Sequence, residues 1–134
     1  MKIITTLFAV FLHVFLFSQE WTILKSNEKY SIEYSKIDFE NKSDGINHQR
    51  IIFQYKNLTN TEIKLTFNRS ISYEKSGNLT LQDKTYSITI PANGSISFND
   101  SNSTDKTYYI FSKDLKGTIK RSLTNFDITN IQIQ

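Results

Sequence analysis

The sequence of 134 residues contains no cysteine, one proline, four glycines and two histidines. Without cysteine, a disulfide scaffold, a thiolate metal site, a cysteine nucleophile and the acylated cysteine of a lipoprotein are all excluded. The glycines stand at positions 45, 77, 94 and 117, so they form no glycine-rich phosphate loop. The 16 basic and 13 acidic residues nearly balance, which indicates no nucleic-acid partner.

The first eighteen residues, 1–18, have the form of an export signal. Met1-Lys2 is a short basic start, and Ile3–Phe17 is almost entirely apolar. This run is shorter than the about twenty residues of a membrane-spanning helix, and it fits the core of a cleaved signal peptide. We expect cleavage between Ser18 and Gln19; the alternative is an uncleaved anchor. Residues 19–134 then form a single domain without a transmembrane segment, located in the periplasm or outside the cell.

The end of this segment, Phe-Leu-Phe-Ser-Gln-Glu-Trp, precedes a chain dominated by Ile, Asn, Lys, Ser, Thr, Tyr and Phe. Residues 19–134 contain no valine, no methionine and a single alanine, Ala92. In these features the sequence resembles small exported proteins of unknown function from flavobacteria and other Bacteroidota. The resemblance implies export and an immunoglobulin-like β-sandwich, and it transfers no catalytic or binding residue.

Asn-x-Ser/Thr sequons are frequent in the chain. In a secreted eukaryotic protein they would mark candidate glycans on surface loops, and the alternative is chance in a composition rich in Asn, Ser and Thr. The seven sequons begin at Asn41, Asn57, Asn68, Asn78, Asn93, Asn99 and Asn102.

Residues 19–134 show the two-residue periodicity of half-buried β-strands. Ile51–Lys56 and Ile63–Asn68 are clear examples, and the polar residues Asn57–Asn60 separate them as a hairpin loop does. No window shows sustained helical periodicity. Eight or nine short strands predict an all-β fold, an antiparallel β-sandwich with Greek-key connections of immunoglobulin or fibronectin type. A small β-barrel of lipocalin type is the alternative.

The strand that begins at Tyr30 changes parity along its length. Tyr30, Ile32 and Tyr34 alternate with polar residues, whereas Ile37 and Phe39 continue with the opposite parity. We therefore expect a β-bulge or a bend near residues 35–36.

Calcium is the one metal for which the sequence offers candidate ligands. Residues 99–105 are dense in oxygen-bearing side chains, which hard cations prefer. The candidates are Asp100, Asn102 and Asp105, although the segment lacks the glycine and the final glutamate of an EF-hand. An ordinary Asn/Asp/Ser hairpin loop is the favoured interpretation, so the sequence predicts no metal site and calcium is the alternative.

Catalytic residues are not evident. His48 is the one histidine in residues 19–134, and we expect it in a solvated loop edge without a nucleophile to activate. Asp38 and Glu40, with Glu33 nearby, are the closest approach to a carboxylate pair, and solvated strand positions are the alternative. The sequence thus predicts no catalytic residue, no cofactor and no enzyme.

Two further patterns suit binding. A basic cluster of Lys113, Lys116, Lys120 and Arg121 could contact anionic lipid or acidic polysaccharide, or could simply be a solvated loop. Aromatic residues could form a carbohydrate platform or could pack in the core. The aromatic candidates are Trp21, Tyr34, Tyr55, Tyr73 and Tyr109.

We therefore expect a non-catalytic binding or interaction module of the periplasm or cell surface, which contacts a protein partner through a strand edge or a loop end. The alternatives are a carbohydrate- or small-ligand-binding protein and, less favoured, a hydrolase that uses carboxylates alone.

Overall fold

The computed structural model describes residues 19–116 and 121–134; the predicted export signal, residues 1–18, lies outside them. These parts of the chain form eight strands and a single 3-10 turn at Asp100–Asn102. No helix among them is long and apolar enough to cross a membrane. The strands are β1 (Thr22–Ser26), β2 (Tyr30–Asn41), β3 (Ile46–Asn57), β4 (Ile63–Lys75), β5 (Asn78–Ile90), β6 (Ser95–Ser97), β7 (Tyr109–Asp114) and β8 (Arg121–Ile133).

All strand pairs are antiparallel, in the order β1-β2-β3-β7-β8-β4-β5, with β6 beside β3. The sheet is open, and β1 and β5 stand at its two ends. The prediction of an all-β, antiparallel fold is therefore confirmed. β1 was not anticipated, because its five residues carry only a weak alternation.

The sheet folds over itself at β7 and β8, which share the single register pair Lys113–Ser122. As a result, β3 faces β4, and the rings of Tyr55 and Phe67 stack with centroids 5.5 Å apart. Apolar side chains from both sides fill the space between, in a core built mostly of isoleucine and aromatic residues. Each such side chain stabilises the fold by about 1.5–3 kcal/mol when fully buried.

β4 and β5 are much longer than the short strands expected from the sequence. The alternation that begins at Ile63 continues through Ile71 and Tyr73 to the end of β4, and β5 pairs with β4 along all of its thirteen residues. A tight turn joins them, in which Ser76 and Gly77 take positive φ angles of 52° and 80°.

The β-bulge expected near residues 35–36 is absent. β2 pairs with β3 in unbroken register from Tyr30–Asn57 to Asn41–Ile46. The change of parity has a different cause: Ile37 and Phe39 lie on the second face of the sheet, where Arg50 is buried against the Phe39 ring. Both faces of β2 are thus covered in part, and no extra residue is needed.

Asn57 shows that one sequon serves the fold. Its side chain is 2 % exposed, and its amide nitrogen donates to the carbonyl oxygens of Thr61, Ile90 and Pro91. Its amide oxygen accepts from the backbone and the hydroxyl of Thr59. An asparagine with all these bonds has no free amide for a glycan.

Candidate functional site

The calcium candidates lie around the 3-10 turn. The side chain of Asn102 is engaged locally, since its oxygen accepts from the backbone of Asn99 and its nitrogen donates to Ser97. One carboxylate oxygen of Asp105 accepts from the backbone of Thr107, and Asp100 lies in the first turn. In residues 19–116 and 121–134 no three His, Asp or Glu side chains come together to hold a metal ion. Calcium binding stays an untested alternative to an ordinary loop.

Asp38 and Glu40 share one face of β2, as their spacing indicates, and Glu33 lies on the opposite face. Glu33 is nearly buried and binds Lys56, with 2.9 Å between carboxylate oxygen and ammonium nitrogen, and it also accepts from Ser31. Asp38 lies further along β2 and accepts weakly from Gln49. The carboxylate of Glu33 is thus committed to a structural ion pair.

The aromatic candidates are all buried or half-buried, including Trp21, which is half-buried. Tyr55, Tyr73 and Tyr109 are at most 5 % exposed, so they cannot form an open platform. Tyr34 is half-buried and packs edge-on against Phe126, with ring centroids 5.2 Å apart. Core packing, the alternative reading, describes these rings.

The solvated loop position expected for His48 is wrong. The residue lies within β3, and its ring stacks on Phe39 and meets the edge of Phe111. Its Nε2 atom accepts a hydrogen bond of 2.7 Å from Nε of Arg50, so Nε2 carries no proton and the imidazole is in its neutral form. Burial, then the positive charges of Arg50 and Lys106, lowers the pKa of His48, and Asp114 opposes this shift.

This shift predicts a stability that depends on pH. Since the pKa of His48 is lower in the folded chain than in the unfolded chain, protonation favours unfolding. The free energy of unfolding should be constant above the unfolded pKa of about 6.5 and should fall as the pH drops below it. We expect His48→Gln, whose amide oxygen can accept from Arg50, to remove this step in urea unfolding measured between about pH 8 and pH 5. An unchanged pH profile in the variant would contradict the assignment.

The main feature of the structure is the arrangement of the arginines. The chain contains three, Arg50, Arg69 and Arg121, and each places its guanidinium over aromatic rings. The closest contacts are 3.7 Å from Arg50 to the Phe39 ring, 4.2 Å from Arg69 to Tyr86 and 4.4 Å from Arg121 to Tyr73. Within the described residues, neither ion pair involves an arginine. Aromatic faces, rather than carboxylates, surround the guanidinium charges.

Arg69 is the most deeply placed of the three. It is 1 % exposed, on the inward side of β4, where its two terminal nitrogens donate to the carbonyl oxygens of Lys106 and Thr107. The hydroxyl of Tyr55 donates to the same Thr107 carbonyl. Arg69 therefore ties the segment before β7 to β4, across the two halves of the fold.

A cavity of about 260 Å³ opens beside Arg69, between the β4–β5 hairpin and β7. A second cavity of about 390 Å³ continues it along the hairpin, and the two share Tyr73, Gln82 and Arg121. We call the combined space the cation cleft. Its cations are Arg69, Lys75, Lys84, Lys106 and Arg121, and its rings are Tyr73, Tyr86, Tyr109 and Phe111.

The lining of the cleft is positively charged. Among residues 19–116 and 121–134, no aspartate or glutamate lines either cavity. The Nε atoms of Arg69 and Arg121 are buried without a hydrogen-bond partner. Such donors are costly to leave unsatisfied, at about 1–3 kcal/mol each and more for charged groups. An anion that entered the cleft would meet this positive charge, next to the two unsatisfied donors.

The sequence pattern identified only part of this cleft. Of the predicted basic cluster, Arg121 lines it, whereas Lys113 and Lys116 do not, and Lys120 lies outside the described residues. Arg69 was missed, although strand parity marks it: it occupies an inward position between Phe67 and Ile71 on β4. A charged residue at an apolar position of a strand is the signal that could have found it.

Comparisons with protein-family models, with curated protein sequences and with solved structures found no match for this chain.

Proposed function

We propose that this protein is an exported binding module that holds a ligand with several negative charges in the cation cleft. The scaffold is an immunoglobulin-like β-sandwich, and the location is the periplasm or the cell exterior. Support for export comes from the form of residues 1–18, and support for an anionic ligand comes from the cleft itself.

The unpartnered Nε atoms of Arg69 and Arg121 carry the proposal. A guanidinium normally directs its donors to carboxylate, phosphate or carbonyl oxygens, and buried donors of folded proteins are almost always bonded. Here two buried donors remain free at one cleft, beside the ammonium groups of Lys84 and Lys106. Oxygen atoms of an anion are the groups that satisfy such donors.

Binding is a better reading than catalysis for this site. A general base or nucleophile needs a partner that moves or accepts a proton, and the tyrosines of the cleft are poor candidates. Burial raises the pKa of Tyr73, so its hydroxyl stays protonated, and that hydroxyl donates to the carbonyl oxygen of Phe111. The cations and rings can orient a charged ligand without changing it.

A calorimetric titration tests the proposal. We expect the purified protein to bind a short polyglutamate peptide in a saturable manner, with an affinity that falls as salt is added, because the contacts are electrostatic. Lys84→Gln with Lys106→Gln should weaken binding about ten-fold, which corresponds to about 1.4 kcal/mol.

Lys42→Gln with Lys64→Gln is the matched control, since both lysines are exposed and lie outside the cleft. This pair removes the same net charge and should leave the affinity nearly unchanged. If the peptide does not bind, or if both double variants weaken binding equally, the cleft is not the site.

A glycan is the other ligand class that the sequence leaves open. Sugars stack on exposed aromatic faces, whereas Tyr73 and Tyr86 already carry a guanidinium on their rings. Tyr109 contacts both Arg50 and the ammonium of Lys106. The rings thus position the cations. The charged groups, rather than ring stacking, recognise the ligand.

A further inference from the structure

The free edge of β5 runs beside the cation cleft. Every residue from Asn78 to Thr85 is exposed, and β5 is the last strand of the sheet on that side. An edge strand presents alternate N–H and C=O groups that no neighbour satisfies, so it can pair with an added strand. Lys84 is a common protective feature of such edges, yet here it also lines the cleft.

The two faces of this edge differ in chemistry. Thr80 and Gln82 are in register with Tyr73 and Ile71, and they line the cleft together with Lys84. The intervening residues point to the opposite face. Among them Leu79 and Leu81 are 63 % and 70 % exposed, which is unusual for large apolar side chains on an open edge.

We propose that the β5 edge accepts an extended segment of a partner protein in which acidic and apolar side chains alternate. The inference rests on the proposed function of the cation cleft and names its ligand. A strand added to β5 continues the pleat, so every second side chain faces Lys84 and the cleft, and the others lie beside Leu79 and Leu81. Backbone hydrogen bonds supply affinity, and the two faces supply specificity.

Charge selects the partner over a second copy of this chain. Symmetric pairing of two β5 edges would bring two cation clefts side by side, each with Arg121 and Lys84 and no acid in its lining. Like charges in such an arrangement oppose association. An acidic segment instead meets the positive charges of Lys84 and Arg121 in the cleft lining.

Synthetic peptides of about eight residues, the length of the exposed part of β5, test the inference. One peptide alternates glutamate with valine; a second has the same composition in two blocks; a third carries N-methyl groups that prevent strand pairing. We expect the alternating peptide to bind about ten-fold tighter than the other two, as expected when several backbone hydrogen bonds are lost. Amide hydrogen exchange of β5 should slow only with the alternating peptide.

Variants of exposed residues complete the test. Leu79→Thr with Leu81→Thr should lower the affinity for the alternating peptide and leave the affinity for the block peptide unchanged. Only the alternating peptide places its apolar side chains against Leu79 and Leu81. Equal affinity for all three peptides, without added protection of β5 amides, would overturn strand pairing while the proposed anion binding stands. If polyglutamate also fails to bind, the proposed function itself is wrong.

Discussion

Replacing Arg69 by alanine is expected to lower the free energy of unfolding by about 3–5 kcal/mol. The substitution removes a buried side chain that lies over the rings of Tyr86 and Phe53. It also removes the side-chain donor to the carbonyl oxygen of Lys106, at about 1–3 kcal/mol, whereas the carbonyl oxygen of Thr107 keeps the Tyr55 hydroxyl as a donor. For a domain of ordinary stability this is a large share of the total. Urea unfolding of the variant and the parent measures it.

Two companion variants separate the causes of this loss. Arg69→Met keeps most of the side-chain volume and removes only the donors, so its cost should fall between those of the parent and Arg69→Ala. Lys64→Ala, on the exposed side of the same strand, should change stability by less than about 0.5 kcal/mol. A loss below about 1 kcal/mol for Arg69→Ala would show that the guanidinium does not hold the segment before β7.

Lys84→Glu combined with Lys106→Glu is expected to abolish anion binding and to stabilise the fold at the same time. The two carboxylates would lie in the cleft beside Arg69 and Arg121, where they act as a permanent internal anion. We expect affinity for polyglutamate to fall by about a hundred-fold or more, equivalent to about 2.7 kcal/mol. The melting temperature should rise by about 2–5 °C because repulsion among the cations is relieved.

A variant that loses affinity for the ligand and gains stability distinguishes a functional site from a structural one. Binding sites often hold groups whose interactions are completed only by the ligand, and filling them internally raises stability at the expense of function. Lys42→Glu with Lys64→Glu changes the net charge equally. This control pair should produce neither the full loss of affinity nor the full rise in melting temperature. A fall in stability for the cleft variant would contradict the view that its cations lack compensation.

The strands and much of the core could be predicted from alternation alone. The inward-facing residues of β4 follow their spacing in the sequence, as shown by Ile63, Leu65 and Phe67. Asn57 begins the hairpin loop that the polar residues predict. Such features depend on neighbours in the chain. The bulge expected in β2 is absent. Alternation shows which residues share an apolar face, but it does not show which other residues cover that face.

The cation cleft could not be predicted in the same way. Arg69 on β4 donates to the carbonyl oxygen of Lys106, which lies 37 residues further along the chain, and Arg121 comes from β8. Contacts between such distant segments depend on how the sheet folds over itself, which periodicity does not specify. The acidic candidates were visible because they lie close together in sequence, and alternation along β2 places Glu33 on the opposite face from Asp38 and Glu40.

An anion bound in the cation cleft is expected to change the surroundings of the unpartnered Nε atoms of Arg69 and Arg121. Because the chain has only three arginines, the three Nε–H signals of a nitrogen–proton correlation spectrum can be assigned by single substitutions. During titration with polyglutamate, the signals of Arg69 and Arg121 should shift with a common affinity, whereas that of Arg50, already bonded to His48, should stay in place. Signals of Arg69 and Arg121 that do not move at saturation would contradict the claim.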